Sequence, residues 1–179
     1  MRLAPPLSLA IVLLAGCSGS ETPSSTTPIQ TAASAAVDPT DACGFLSPAN
    51  FADVNFTVDG DPEDVSERFS VSTTSSVACQ WMTSDDNIGS SWELVIGTGD
   101  AEAAYDSELL FAQQDTATTV DLGDEAVLID KVSSFDSTDH DFEVAVRRGD
   151  VFFTLSTTDD RGVEAIVALA TLVANQLAA

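Results

Sequence analysis

Phe142-Glu-Val-Ala-Val-Arg-Arg-Gly-Asp-Val-Phe-Phe-Thr-Leu155 reads as a single β-hairpin. Phe142, Val144 and Val146 alternate with Glu143, Ala145 and Arg147, the period of two that sends one set to a buried face. Gly149-Asp150 suits a two-residue type II′ turn, which needs a positive φ at its first central position, and glycine adopts that φ at no steric cost. This turn pairs Arg148 with Val151, Val146 with Phe153 and Val144 with Leu155, so turn chemistry and apolar pattern give one register. The same register puts Phe152 on the opposite face beside Arg147. Either a covering segment or an exposed apolar patch is implied there. Arg148-Gly149-Asp150 also spells an adhesion tripeptide, but its place at a hairpin tip accounts for all three residues.

On the C-terminal side, Asp159 or Asp160 caps a helix expected from Gly162 to about Leu177. Its apolar stripe is Val163, Ile166, Val167, Ala170, Val173 and Leu177. It is too short and too amphipathic to span a bilayer. On the N-terminal side, Ala126-Val-Leu-Ile129 reads as a strand after the turn Leu122-Gly-Asp-Glu125. Further back, Asp100 caps a helix expected to reach about Gln114, with Ala103, Ala104, Leu110 and Phe111 as its contacts and Leu109 at the boundary. Val77, Cys79 and Trp81 share one strand face, and Trp92, Leu94 and Ile96 another, with turn residues from Ser84 to Ser91 between them. Phe69 and Val71, alternating with serines, predict one more strand, and the acidic segment Asp59 to Glu67 predicts a loop. Ser47 as N-cap and Pro48 at the first helical position predict a short helix to about Val54, burying Phe51 and Val54. The fold class expected is α+β: a mostly antiparallel sheet with helices packed on one face and one disulfide. This domain covers residues 41–179.

The first forty residues are of another kind. Arg2 is followed by the apolar run Leu7-Ser-Leu-Ala-Ile-Val-Leu-Leu14, too short for a membrane span and right for a signal peptide over residues 1–16. Leu14-Ala15-Gly16-Cys17 then resembles the bacterial lipobox, which makes Cys17 the expected lipidation site. Two acyl chains give a stable anchor at about 0.8 kcal/mol per buried CH₂, where one chain gives only marginal binding. Residues 18 to about 40 are rich in Ser, Thr, Pro and Ala and contain no aromatic residue. They cannot bury enough apolar surface to offset their ordering entropy, so 17–40 is expected to be a lipidated cysteine and a flexible tether.

The chain carries 29 acidic residues against six basic ones, a net charge of −23. Beyond Arg2 the cations are Arg68, Lys131, Arg147, Arg148 and Arg161. Nucleic-acid binding replaces phosphate counterions with positive charge and is excluded as a partner class. Docking to anionic headgroups is disfavoured for the same reason.

With Cys17 assigned to lipid, Cys43 and Cys79 remain. An even pair in an oxidising compartment reads as one disulfide. It would close a loop of about 37 residues, for roughly 4 kcal/mol in the chain-entropy model. Two thiols and one distant histidine make a poor zinc set, and a redox pair prefers Cys-x-x-Cys.

Candidate sites are sparse. His140 would have to serve any histidine-dependent enzyme, yet it stands among Asp136, Asp139 and Asp141 with no nucleophile context, so a solvated loop histidine is expected and no catalytic residue is assigned. Asp136, Asp139 and Asp141, like Asp59-Gly-Asp-Pro-Glu-Asp64, offer oxygen ligands to calcium. Neither stretch has the EF-hand glycine at position six or glutamate at position twelve, and no metal or cofactor is expected. Gly97-Thr98-Gly99 would repel phosphate through Asp100 and Glu102.

Several segments together resemble a family of actinobacterial lipoproteins that share a domain of unknown function. They are the lipobox, the Ser/Thr/Pro tether, Asp41-Ala-Cys-Gly-Phe-Leu46, Cys79-Gln-Trp81 and Leu122-Gly-Asp-Glu-Ala126. Phe45 stands where the family often has a leucine-like residue. The resemblance implies a disulfide between the two matching cysteines and an envelope location, and no particular activity. The function expected is a non-enzymatic module, lipid-anchored on the extracytoplasmic face of the cell membrane, binding a small molecule, lipid or envelope protein. A hydrolase using a carboxylate pair, or a calcium-stabilised surface protein, are the alternatives. A deep apolar pocket would favour binding, and two converging buried carboxylates with raised pKa would favour an enzyme.

Overall fold

A computed structural model of the chain describes residues 38–178, apart from 70, 72, 86–87, 113–115, 133–139 and 160. Cys17 and the tether, and with them Asp136 and Asp139, lie outside the described residues. Among the described residues the elements run α1 (Pro48–Asp53), β1 (Glu63–Asp64), β2 (Ser75–Asp85), β3 (Ile88–Thr98), α2 (Ala101–Phe111), β4 (Thr116–Thr119), β5 (Glu125–Val132), β6 (His140–Arg148), β7 (Val151–Thr157) and α3 (Val163–Leu177), after a 3₁₀ turn at Ala42–Gly44. The strands form one antiparallel sheet in the order β1-β2-β3-β7-β6-β5-β4. The fold class is therefore α+β with one disulfide.

The β6–β7 hairpin has the predicted register, with Arg148 opposite Val151, Val146 opposite Phe153 and Val144 opposite Leu155. Gly149 supplies the positive φ, at 57°, at the first central position of the turn. Arg148 is used at home: its Nη1 donates to the Ala174 carbonyl at 2.7 Å, near the C-terminal end of α3. That placement satisfies a carbonyl with no helical partner and sets a cation at the negative end of the helix dipole.

One face of the sheet carries straight rows of apolar side chains. Cys79, Leu94, Leu155, Val144 and Leu128 are successive partners across five strands, flanked by the row Val77, Ile96, Phe153, Val146 and Ala126. Against this face pack α3, through Ile166, Leu169, Ala170 and Val173, and the N-terminal segment, through Phe45, Leu46, Phe51 and Phe56. Burying a side chain of this size stabilises by about 1.5–3 kcal/mol. In α1 the Asn50 Oδ1 accepts from both the Ser47 N–H and its hydroxyl, each at 2.8 Å, with Pro48 at the first position as predicted. Cys43 and Cys79 are bonded, with Cα atoms 5.1 Å apart, and fasten the 3₁₀ turn to the middle of β2.

The expectation of helices on one face needs correcting. The α1 and α3 helices share a face, but α2 lies on the other, with Ala101, Ala104 and Tyr105 against Val127, Ile129, Ala145 and Phe152. Topology requires it. The chain must pass from β3 in the middle of the sheet to β4 at its edge, over β7, β6 and β5, and the first face is already covered. Phe152 is only 1% exposed, so the covering segment implied by the hairpin register is α2.

Other boundaries moved. Phe69 and Val71 are not in a strand. They pack irregularly over Val65, Ala78 and Val95 and so cover the other half of the second face. Part of the expected loop 59–67 pairs with β2 as the two-residue β1. The β2–β3 ladder continues to Asp85 opposite Ile88, so the turn is shorter than Ser84 to Ser91 suggested. The β4 strand was not expected: all four of its residues are exposed, so no apolar alternation marks it. Leu110 and Phe111, expected as contacts of α2, are 66% and 74% exposed, and Tyr105 and Ala101 take their place. Asp100 stands at the N-cap position with a left-handed backbone (φ 58°) and makes no side-chain cap bond. In α3, Val163 is exposed while Leu169 and Ala174 join the stripe.

Candidate functional site

The second face changes character along the strands. Toward Gly97 it is apolar and covered by α2 and the 65–74 segment. At the other end its partners are Gln80, Glu93, Ser156, Glu143 and Ile129 in one row, then Met82 with Ser91 and Asp141 with Lys131. Among the described residues no covering element reaches this end fully. The gap is a cavity of about 210 Å³ lined by Ser91, Glu93, Lys131, Asp141, Glu143, Ser156 and Thr158 among others.

Glu143 is the unusual group there. Alternation sends it away from the main core, yet it is only 9% exposed, because α2 passes over it. Lys131, two residues past Ile129 on β5, reaches diagonally and donates from Nζ to Glu143 Oε2 at 3.0 Å. The same Nζ lies 3.7 Å from Glu108 Oε1 on α2. Glu143 Oε1 is buried and has no donor. Burial pushes the Glu143 carboxyl up from the usual range to about 7; Lys131 opposes this, and Glu108, close enough for the two carboxyls to share a proton, adds to it. Across the cavity Gln80 Nε2 donates to Glu93 Oε1 at 2.7 Å.

A carboxyl whose pKa is raised by folding binds its proton more tightly in the folded chain. The stability that depends on the proton is fully present below the ordinary glutamate range and is lost as pH rises through about 7. The loss is expected to be about 3 kcal/mol for a shift of this size. Urea unfolding at pH 5 and pH 8 measures it, and the pH dependence is expected to shrink by that amount in Glu143→Gln.

A second cavity, of about 450 Å³, opens between the end of α1 and the start of α3, lined by Val54, Asn55, Phe56, Arg161, Glu164 and Ala165. Arg161 lies over the Phe56 ring at 5.5 Å. Its Nε and Nη2 donate to Asp159 Oδ1 and Oδ2 at 3.0 and 2.7 Å, and Ser90 Oγ donates to Oδ2 at 3.1 Å. Asp159 or Asp160 was expected to cap α3; Asp160 lies outside the described residues. The Asp159 carboxylate instead accepts the Arg161 N–H at 2.9 Å, and its carbonyl accepts from Gly162, so it builds the turn that precedes the helix. The Arg161 hydrogen bonds hold its carboxyl below the usual range against the cost of burial. The stability this contributes is present above the ordinary aspartate range and lost as pH falls through the lowered folded value. Asp159→Asn should therefore flatten the acid limb of a thermal-denaturation profile below about pH 4.

His140 was expected in a solvated loop. It opens β6, opposite Val132, with Nδ1 2.6 Å from Asp130 Oδ1 and its ring stacked on Phe142 at 6.1 Å. Asp141 is exposed and pairs with Lys131 across the ladder. Among the described residues no group of three or more His, Cys, Asp or Glu side chains could hold a metal ion, and no helix is long and apolar enough to cross a membrane. Sequence reasoning passed over Glu143, Lys131, Glu108 and the Asp159–Arg161 pair. The available signal was Phe152: a cover over that residue must also cover part of the strand beside it.

No protein-family model, curated protein or solved structure matches this chain.

Proposed function

We propose that this chain is a lipoprotein anchored to the extracytoplasmic face of the cell membrane through Cys17, whose acidic α+β domain is a non-enzymatic module that binds a ligand or envelope partner. The observation that carries the reading is Leu14-Ala-Gly-Cys17 directly behind an apolar run of signal-peptide length. The Cys43–Cys79 bond supports it, because such bonds persist in oxidising compartments. The resemblance to actinobacterial lipoproteins points the same way. The polar cavity on the second sheet face offers hydroxyls and carboxylates for recognition.

Cys17→Ala tests the anchor. Cell fractionation should move the protein from the membrane fraction to the soluble extracytoplasmic or culture fraction, and retention in the membrane would reject the reading. Native mass spectrometry of the protein purified from its own host tests the binding role, and a retained mass would define the ligand class. The hydrolase alternative draws on one observation, the Glu143–Glu108 carboxyl pair. The Glu143 oxygen that lacks a partner is enclosed, which suits holding a proton better than delivering it to a substrate.

A further inference from the structure

We propose that Glu143, Lys131 and Glu108 form a proton-dependent latch, which holds the C-terminal half of α2 against the sheet while a proton bridges the two carboxyls and frees it when that proton leaves. Two carboxyls and one ammonium meet where α2 crosses β5 and β6. Lys131 serves Glu143 Oε2 and Glu108, and Glu143 Oε1 is left buried without a donor. A proton on the carboxyl pair supplies the missing donor. Without it, two carboxylates share a single ammonium, and burying negative charge that is only partly compensated is costly.

The neighbours leave little else to absorb that cost. Among the described residues the charged groups around Glu143 are Lys131 from β5, Glu108 from α2, Glu93 from β3 and Asp141 on its own strand. Glu93 is engaged by Gln80, Asp141 is exposed, and β7 offers only the uncharged Ser156. The part that yields is α2. Glu143 lies on a strand bonded on both sides, by β5 and β7. The helix is seated by Ala101, Ala104 and Tyr105 in its first half, while its far end is held apolarly only by Leu109 and by Ala112 just past it, Leu110 and Phe111 being exposed. The raised Glu143 pKa, about 7, puts the release in the neutral range. Lifting this end of α2 would widen the polar cavity beside it. The latch stands on the folded domain and does not depend on the anchor.

Amide hydrogen exchange on the full chain tests this, with rates corrected for the intrinsic effect of pH. Between pH 5.5 and 8.5 the protection of residues 105–111 should fall by about tenfold or more, while that of β6 and β7 holds. Glu143→Gln, which keeps a donor and carries no charge, should abolish the difference. Unchanged protection in the parent chain, or an equal fall in Glu143→Gln, would overturn the proposal. Should the variant fail to fold, a carbon-detected titration of the Glu143 carboxyl in the parent chain decides, and a midpoint in the ordinary glutamate range refutes the latch.

Discussion

Replacing Cys43 and Cys79 together by alanine should lower the stability of the folded domain by about 4 kcal/mol, the chain-entropy value for a sequence separation of 36 residues. For a domain of this size the melting temperature should fall by about 10 °C or more. The cause lies in the unfolded chain, which gains the freedom that the bond removes. The dependence of stability on urea should steepen as well, since an uncrosslinked denatured chain exposes more surface. Alanine is the right replacement because Cys79 is fully buried in the main core, where a serine hydroxyl would need a partner. Urea unfolding of the parent and double variant under non-reducing conditions gives both quantities. A loss below about 1 kcal/mol would mean that the denatured chain stays compact without the bond.

Phe152→Ala should cost about 3–5 kcal/mol, the range for deleting a fully buried phenylalanine. The ring lies on the second sheet face among Ala101, Ala104, Tyr105, Val127 and Ala145. The helix brings Ala101, Ala104 and Tyr105 to this contact, and Phe152 is the large side chain that the sheet supplies to fill the space between them. Its loss should loosen α2 before the rest of the domain, visible as earlier proteolytic cleavage in residues 101–112 during a thermal ramp. Phe111→Ala is the matched control. That side chain is 74% exposed, and its removal should change stability by no more than about 0.5 kcal/mol. Equal effects of the two substitutions would mean that α2 does not pack on Phe152.

The hairpin was readable because a turn with one demanding position and a strict alternation agreed on every pair from Arg148–Val151 to Val144–Leu155. The short α1 was readable from Ser47 and Pro48, and the disulfide from the parity of the cysteines. The side of the sheet taken by α2 was not, because its buried face is marked by two alanines and a tyrosine while Leu110 and Phe111 are exposed, so the strongest apolar signal points the wrong way. Leu110 and Phe111 drew the assignment away from Ala101 and Tyr105. The β4 strand escaped for a related reason, since an exposed edge of Thr116, Ala117, Thr118 and Thr119 has nothing to alternate. Glu143 could be read as facing away from the main core. Its burial could not, because it depends on the path of α2 from the centre of the sheet to its edge. The proposed anchor segment is different again: its reading rests on composition and on Cys17, and it concerns export rather than packing.

The position of the disulfide also sets how the domain meets force. A pull on the chain N-terminal to Cys43 passes through the covalent bond to Cys79 and enters the sheet in the middle of β2. Residues 44–78, including α1 and β1, lie off that load path and are spared tension. The strain falls on the ladder that joins β2 to β3 from Ser75 opposite Thr98 to Asp85 opposite Ile88. In the reduced chain the same pull would first peel away the 3₁₀ turn and α1, drawing Phe45 and Phe51 out of the main core one after the other. The bond thus decides whether the domain yields by unravelling from its N-terminal end or resists until a long paired strand gives way.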